Sequence, residues 1–252
     1  MSHDALSRNA RWALFLDVDG TLIELAPTPD SVHVPDALKS LLDEVSMRLE
    51  GALALVSGRS IADLDRLFAP QEFCASGVHG AERREANGKI VRAQVDTTLL
   101  DSVRDELGAF VARHEGLLLE DKSFALAVHF RLAPDLGDAV RAKVDSILDR
   151  IGKEYTLQAG KCVYEIRPRA WTKGTAVRTF LAQAPFAGRT PIYVGDDVTD
   201  EDAFRAVNEL GGLSVRVGSA ASTHATFALR SVADVHRWLR ELPPPAPLLR
   251  VG

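Results

Sequence analysis

The stretch FLDVDGTLIEL, Phe15 to Leu25, carries an apolar run into two carboxylates, Asp17 and Asp19, and then turns through Gly20. Like charges one residue apart repel, and both lose hydration as a site closes over them. A chain that keeps them there needs a compensating cation, around which the two acids can serve as nucleophile and proton donor. A hard ion such as Mg²⁺ suits the position, because it prefers carboxylate and carbonyl oxygens and retains waters. A lone pair of acids at i and i+2 says little. After an apolar strand, and followed by Gly20-Thr21, the pair sits on a turn that presents both acids together.

Working outward, WALFLD (12–17) reads as a buried strand. A helix follows in PDALKSLLDEVSMRLEG, where Leu38, Leu41, Leu42, Val45 and Leu49 keep a 3.6-residue period before Gly51. ALALVSGRS (52–60) is a second strand that ends in Ser57 and Arg59. TPIYVGDDVTDED (190–202) is a third, ending in acids and entering the helix EDAFRAVNELGG; LSVRVG and the helix SVADVHRWLREL close the pattern. Strands buried on both faces and alternating with helices predict an α/β fold, a Rossmann-like parallel sheet, with ligands beyond the carboxyl ends of its strands. The polar clusters all fall at those ends.

The middle differs. EFCASGVHGAERREANGKIVRAQ has the marks of a hairpin turning at Asn87-Gly88. Then come a helix with Val103, Leu107, Phe110 and Val111 on one face, a strand (EDKSFALAVHFR, 120–131), a helix with Val140, Val144, Ile147 and Ile151, and a strand (KCVYEIRP, 161–168). This helix–strand–helix–strand segment is expected to form an inserted α/β cap, residues 98–169, within a catalytic core of 1–97 and 170–252. Alternation puts Phe124, Leu126, Val128 and Phe130 on one face, and Ser123, Ala125, Ala127, His129 and Arg131 on the other. The second strand divides likewise into Cys162, Tyr164, Ile166 and Lys161, Val163, Glu165, Arg167. The polar face is either solvated or, with small residues beside His129 and Arg131, open to a polar ligand such as a sugar. The tail PPPAPLLRVG cannot continue a helix and is predicted to be loose.

Three further clusters carry chemistry. Ser57-Gly58-Arg59 offers a hydroxyl, backbone N–H groups and a guanidinium to phosphate oxygens. Lys173, after the cap residue Thr172, lies in the first turn of a helix, where the dipole disfavours its charge; a bound anion or a carboxylate nearby would explain it. GDDVTDED (195–202) has five acids in eight positions. Asp200, Glu201 and Asp202 suit a helix N-terminus, whereas Asp196 and Asp197 precede it and read as cation ligands.

The chain has 252 residues, 46% hydrophobic and 26% charged, with net charge −5, which argues against a coat for nucleic acid or anionic membrane. No apolar run approaches the roughly 20 residues that span a bilayer. MSHDALSRNARW lacks the apolar core of a secretory signal. Cys74 and Cys162 stand far apart and read as reduced residues of a cytoplasmic protein. The expected partner is a small-molecule substrate, with the chain a monomer or weak oligomer.

Acid pair, hydroxyl, lysine and acid cluster, in that order, resemble the haloacid-dehalogenase superfamily of aspartate-nucleophile phosphotransferases. More narrowly, GVHGAERR (77–84), HFR (129–131), GKCVYEIRPR (160–169) and GDDVTDE (195–201) are similar to bacterial trehalose-6-phosphate phosphatases, over most of the chain. Trp171 departs from that pattern, where a small residue is expected. The resemblance implies hydrolysis of trehalose 6-phosphate with Asp17 as nucleophile and Asp19 as general acid and base. It implies Mg²⁺ on the Asp17 carboxylate, the Asp19 backbone carbonyl and Asp196, with Asp197 and Asp200 behind them. Ser57 and Lys173 would clamp the phosphate and Asp200 would orient Lys173 or a metal-bound water. For substrate selectivity, Glu120 and Glu165 would accept from sugar hydroxyls, while Lys122, His129, Arg131 and Lys161 would donate or attract phosphate. Arg59 would add charge to the phosphate grip, and His79 either lines the site or is structural. The rivals are a phosphatase for another sugar phosphate or a phosphomutase, a receiver domain, which is about half this length and has no lid, and a non-catalytic binder, which would have lost one of the first two acids.

Overall fold

The computed structural model describes residues 11–26, 32–93, 98–220, 222–242 and 249–250. Strand β1 (Trp12–Leu16) is buried at every position, as a central parallel strand covered on both faces must be. It pairs in parallel with β2 (Leu53–Val56) on one side and with β10 (Thr190–Gly195) on the other. Parallel pairing continues outward to β3 (Cys74–Gly77) beyond β2, and to β11 (Leu213–Val217) and β12 (Phe227–Leu229) beyond β10. The edges are antiparallel: β4 (Glu82–Arg84) and β5 (Ile90–Arg92) follow β3, and β13 (Leu249–Arg250) pairs with β12. That last strand occupies two positions of the tail predicted to be loose; the rest of the tail after Leu242 lies outside the described residues.

Helices α1 (Asp36–Arg48), α2 (Ile61–Phe68), α5 (Lys173–Leu181), α6 (Glu201–Glu209) and α7 (Val232–Glu241) belong to this sheet. Their apolar stripes join the strands in one core, where Phe15 stacks on Phe186 at 5.5 Å and tilts against Phe180 at 6.0 Å. The sequence order reverses at β1. β2 and β3 are added outward on one side of β1, and β10, β11 and β12 on the other, so the switch point lies between β1 and β10, where ligands of open parallel sheets collect.

The chain divides into two compact units, residues 1–91 with 172–252, and residues 92–171. The second holds α3 (Thr98–Val111), α4 (Gly137–Ile151) and an antiparallel sheet in the order β6 (Leu118–Asp121), β7 (Leu126–His129), β9 (Val163–Pro168), β8 (Tyr155–Gly160). The single strand expected over 120–131 is thus two strands and a turn. Ser123 takes φ +66°, its N–H donates to the Asp121 side chain, and Lys122 N–H reaches Ala125 O at 3.0 Å. This turn contains neither Gly nor Pro, so the run reads as continuous. Strand β8 was likewise not expected. Its two-residue turn into β9, Lys161-Cys162, places Cys162 at φ +63° without a glycine. The period-two reading holds: Leu126, Val128, Phe130 and Ile166 pack with Leu100, Val103, Leu107, Val140, Val144 and Ile147 of the helices, and Glu165 and Arg167 lie on the opposite face.

Phe15→Ala is expected to destabilise the first unit by about 3–5 kcal/mol, since it empties the centre of the aromatic cluster. Urea unfolding followed by intrinsic fluorescence measures the loss, and a change under about 1 kcal/mol would contradict the packing described.

Candidate active site

Parallel pairing of Leu16 with Val194, extended by Asp17 N–H to Val194 O at 2.9 Å, brings the acid that ends β1 beside the acids that follow β10. The approach is tight enough to require glycine. Gly20 has φ +82°, and a Cβ there would sit 2.2 Å from Asp196 Oδ2. Thr21 Oγ1 lies 3.4 Å from both Asp17 Oδ2 and Asp196 Oδ1. One carboxylate oxygen from each of Asp17, Asp196 and Asp200 falls within 4.8 Å of the others.

Lys173 is buried against this group. Thr172 caps α5 in a reciprocal box with Thr175, and Lys173 Nζ donates to Asp17 Oδ1 and Asp200 Oδ1, each at 2.7 Å. Two carboxylates therefore balance the cation that the helix dipole disfavours. Asp200 accepts four bonds: Lys173 Nζ and Tyr193 Oη at Oδ1, and the Asp196 and Asp197 N–H groups at Oδ2. Asp197 instead turns its carboxylate to its neighbour, accepting from Val198 N–H, so it acts as a cap and is not one of the three convergent acids.

Burial, reinforced by the neighbouring Asp200 charge, pushes the Asp17 carboxyl well above its ordinary range, with Lys173 opposing. Burial and the Asp200 charge likewise raise Asp196 to about 6. Burial alone would lower Lys173, but Asp17 and Asp200 outweigh it and hold the ammonium protonated. Three carboxylates facing one ammonium leave an excess of negative charge in a cluster of hard oxygen donors. A divalent cation fits it by charge and by ligand chemistry.

Ser57 stands at the end of β2, buried, its N–H on Ser76 O, with Arg59 N–H donating to its Oγ at 3.1 Å. The guanidinium of Arg59 does not stand open for an anion: Nε and Nη2 reach Asp19 Oδ2 and Oδ1, both at 2.7 Å. His79 is buried in a left-handed turn (φ +54°), its N–H on Ser57 O and its ring so near Gly58 that a Cβ there would meet it at 2.8 Å. Glu82 accepts from Ile61 N–H at 2.9 Å, capping α2 just past the serine turn. Sequence reasoning missed Glu82 and Tyr193. Both read as ordinary strand residues, and only the tertiary pairing reveals their partners.

In the second unit, register aligns Glu120, Ala127, Glu165 and Gln158 across four strands. His129 Nε2 lies 2.7 Å from Glu120 Oε2, and Lys122 Nζ lies 3.2 Å from Glu165 and 3.7 Å from Glu120. Burial would raise Glu120, but the His129 bond and the Lys122 charge outweigh it and hold its carboxyl low. These four residues form one network on the sheet face that bears no helices. Arg131 and Lys161 are apart from it, joined by a bond from Arg131 Nη2 to Lys161 O at 3.1 Å.

Lys173 lies buried between acids at the switch point of a parallel sheet, and phosphatases of the haloacid-dehalogenase superfamily share this fold. The family model for trehalose-phosphatase matches residues 15–235, and the chain belongs to that family. It is 51% identical to a probable trehalose-phosphate phosphatase of Sinorhizobium fredii, over 82% of this chain and 78% of that one. It is 45% identical to the trehalose-6-phosphate phosphatase of Escherichia coli, over 92% and 86%. Among solved structures, the C-terminal domain of C. albicans trehalose-6-phosphate phosphatase superposes with TM-score 0.83 at 25% identity, covering 96% and 94%. No helix among the described residues is long and apolar enough to cross a membrane.

Removing one of the crowded acids should relieve repulsion in the metal-free protein. Asp196→Asn is expected to raise the melting temperature in chelator at pH 8 by about 2–4 °C per kcal/mol relieved, and to abolish the stabilisation expected for the parent on adding a divalent cation. A melting temperature that falls in chelator would contradict the crowding.

Proposed function

We propose that the protein hydrolyses trehalose 6-phosphate to trehalose and phosphate, with Mg²⁺ as cofactor and an aspartyl-phosphate intermediate. The observation that carries this reading is Asp17 at the switch point, with Lys173 Nζ 2.7 Å from its Oδ1. The substrate follows from the family and from the names of the relatives.

Asp17 attacks phosphorus and the bond to the sugar 6-oxygen breaks, the leaving oxygen taking a proton from Asp19. Water then attacks the aspartyl-phosphate and gives a proton back to Asp19, which releases phosphate and restores both acids. Lys173 and the Ser57 hydroxyl steady the phosphate oxygens, the lysine held on line by Asp200. Mg²⁺, held by the Asp17 carboxylate, the Asp19 backbone carbonyl and Asp196, would neutralise charge on the transferring group. Asp200, with both oxygens already engaged, orients Lys173, and Asp197 shapes the turn behind Asp196. The unit at 92–171 is the recognition cap. Its network of Glu120, Lys122, His129 and Glu165 offers acceptors and donors matched to sugar hydroxyls, with Arg131 and Lys161 adding positive charge at the hairpin end.

Phosphate release from trehalose 6-phosphate, compared with glucose 6-phosphate and sucrose 6-phosphate, tests the assignment; activity should need Mg²⁺ and favour the first substrate. Asp17→Asn is expected to abolish turnover while the protein still melts cooperatively, and normal turnover would end the scheme. Glu165→Ala should depress activity on trehalose 6-phosphate at least tenfold more than on phenyl phosphate. Equal losses would remove the sheet face from the account of selectivity.

A further inference from the structure

Arg59 is built differently from a surface arginine waiting for an anion. Its backbone is fixed on both sides: its N–H donates to Ser57 Oγ, its carbonyl accepts from Val78 N–H at 2.9 Å, and the next turn is pinned by Ile61 N–H on Glu82. Gly77 lets the neighbouring strand end approach this turn, since a Cβ there would lie 2.8 Å from Arg59 O. From this root the side chain, 10% exposed, meets the carboxylate of Asp19, 30% exposed, with two parallel bonds of 2.7 Å.

Two parallel bonds to a planar fork fix both the position and the plane of a carboxylate, which a single charge cannot do. An aspartate on a turn has two rotatable bonds, and a proton donor must be aimed within about 1 Å to keep its rate advantage. The pair is therefore suited to aiming. We propose that Arg59 is a positioning residue for Asp19: the fork fixes the plane of the ionised carboxylate, from which Asp19 takes a proton from the water that hydrolyses the intermediate and, so loaded, hands that proton to the leaving oxygen of the next substrate. The inference rests on the reading of Asp19 as that proton donor. It replaces the role in the phosphate grip that sequence alone gave to Arg59.

A proton donor matters most when the leaving oxygen is basic. In the Mg²⁺-loaded full chain, kcat/KM is measured across aryl phosphates from 4-nitrophenyl to phenyl phosphate, which carry no sugar hydroxyls for the second unit to read. Arg59→Lys keeps the charge but loses the fork. It is expected to lower kcat/KM for phenyl phosphate about 10²-fold and for 4-nitrophenyl phosphate about tenfold or less, so the dependence on leaving-group basicity steepens. A loss equal across the series, carried by KM, would overturn the proposal and return Arg59 to phosphate binding. Asp19→Asn is run alongside. If it steepens while Arg59→Lys stays parallel to the parent, only the role of Arg59 fails; if Asp19→Asn is itself parallel, the reading of Asp19 fails with it. Should Arg59→Lys not melt cooperatively, Arg59→Gln is judged by the same slope.

Discussion

Lys173 reaching Asp17 and Asp200 at 2.7 Å is the contact on which the site depends. It joins the end of β1, the start of α5 and the turn after β10, three places that only the completed sheet brings together. Without the ammonium, the two carboxylates would face each other, buried and uncompensated, a situation that costs several kcal/mol. With it, Asp200 becomes a fixed acceptor saturated by four donors, which leaves Asp17 and Asp196 as the acids with oxygen to spare for a cation. The ammonium and the other donors therefore separate carboxylates that look equivalent in the sequence into one whose oxygens are both engaged and two that keep oxygen to spare.

Much of this was legible in the residues. Asp17 and Asp19 end an apolar run and Gly20 follows, and a parallel sheet places such strand ends where ligands collect. Lys173 was conspicuous because its charge opposes the helix dipole, and the explanation was a partner with the opposite charge. Asp196 and Asp197 were read alike, however, and the structure separates them: Asp197 satisfies the N–H of its neighbour, a local bond as available to either acid from sequence alone. Arg59 is a related case: read as adding charge to a phosphate grip, it stands in the structure on Asp19. An arginine after a serine at a strand end offers no clue that its partner will come from the β1 turn rather than from an anion. In the second unit the apolar alternation predicted the helix-facing residues, whereas the turns at Ser123 and Cys162 were hidden because neither uses the residues that ordinarily tolerate a left-handed backbone.

The second unit divides its small sheet between packing and charge. Its apolar face is sealed by two helices, so the opposite face is free to hold charged groups at fixed spacing, with Ala127 as the low point between Glu120 and Glu165. The ion pairs there hold acceptors and donors at fixed spacing.

The strand order also bears on synthesis. β1 and β2 are made early, but the other edge of β1 waits for β10, and the whole of residues 92–171 is translated in between. During that interval a growing chain presents an unsatisfied, wholly apolar strand edge, the kind of surface that chaperones shield and that seeds misassembly when they do not. A ribosome-bound chain that stops before β10 has Asp17 and Lys173 but neither Asp196 nor Asp200, so the acid cluster closes only after that strand is added.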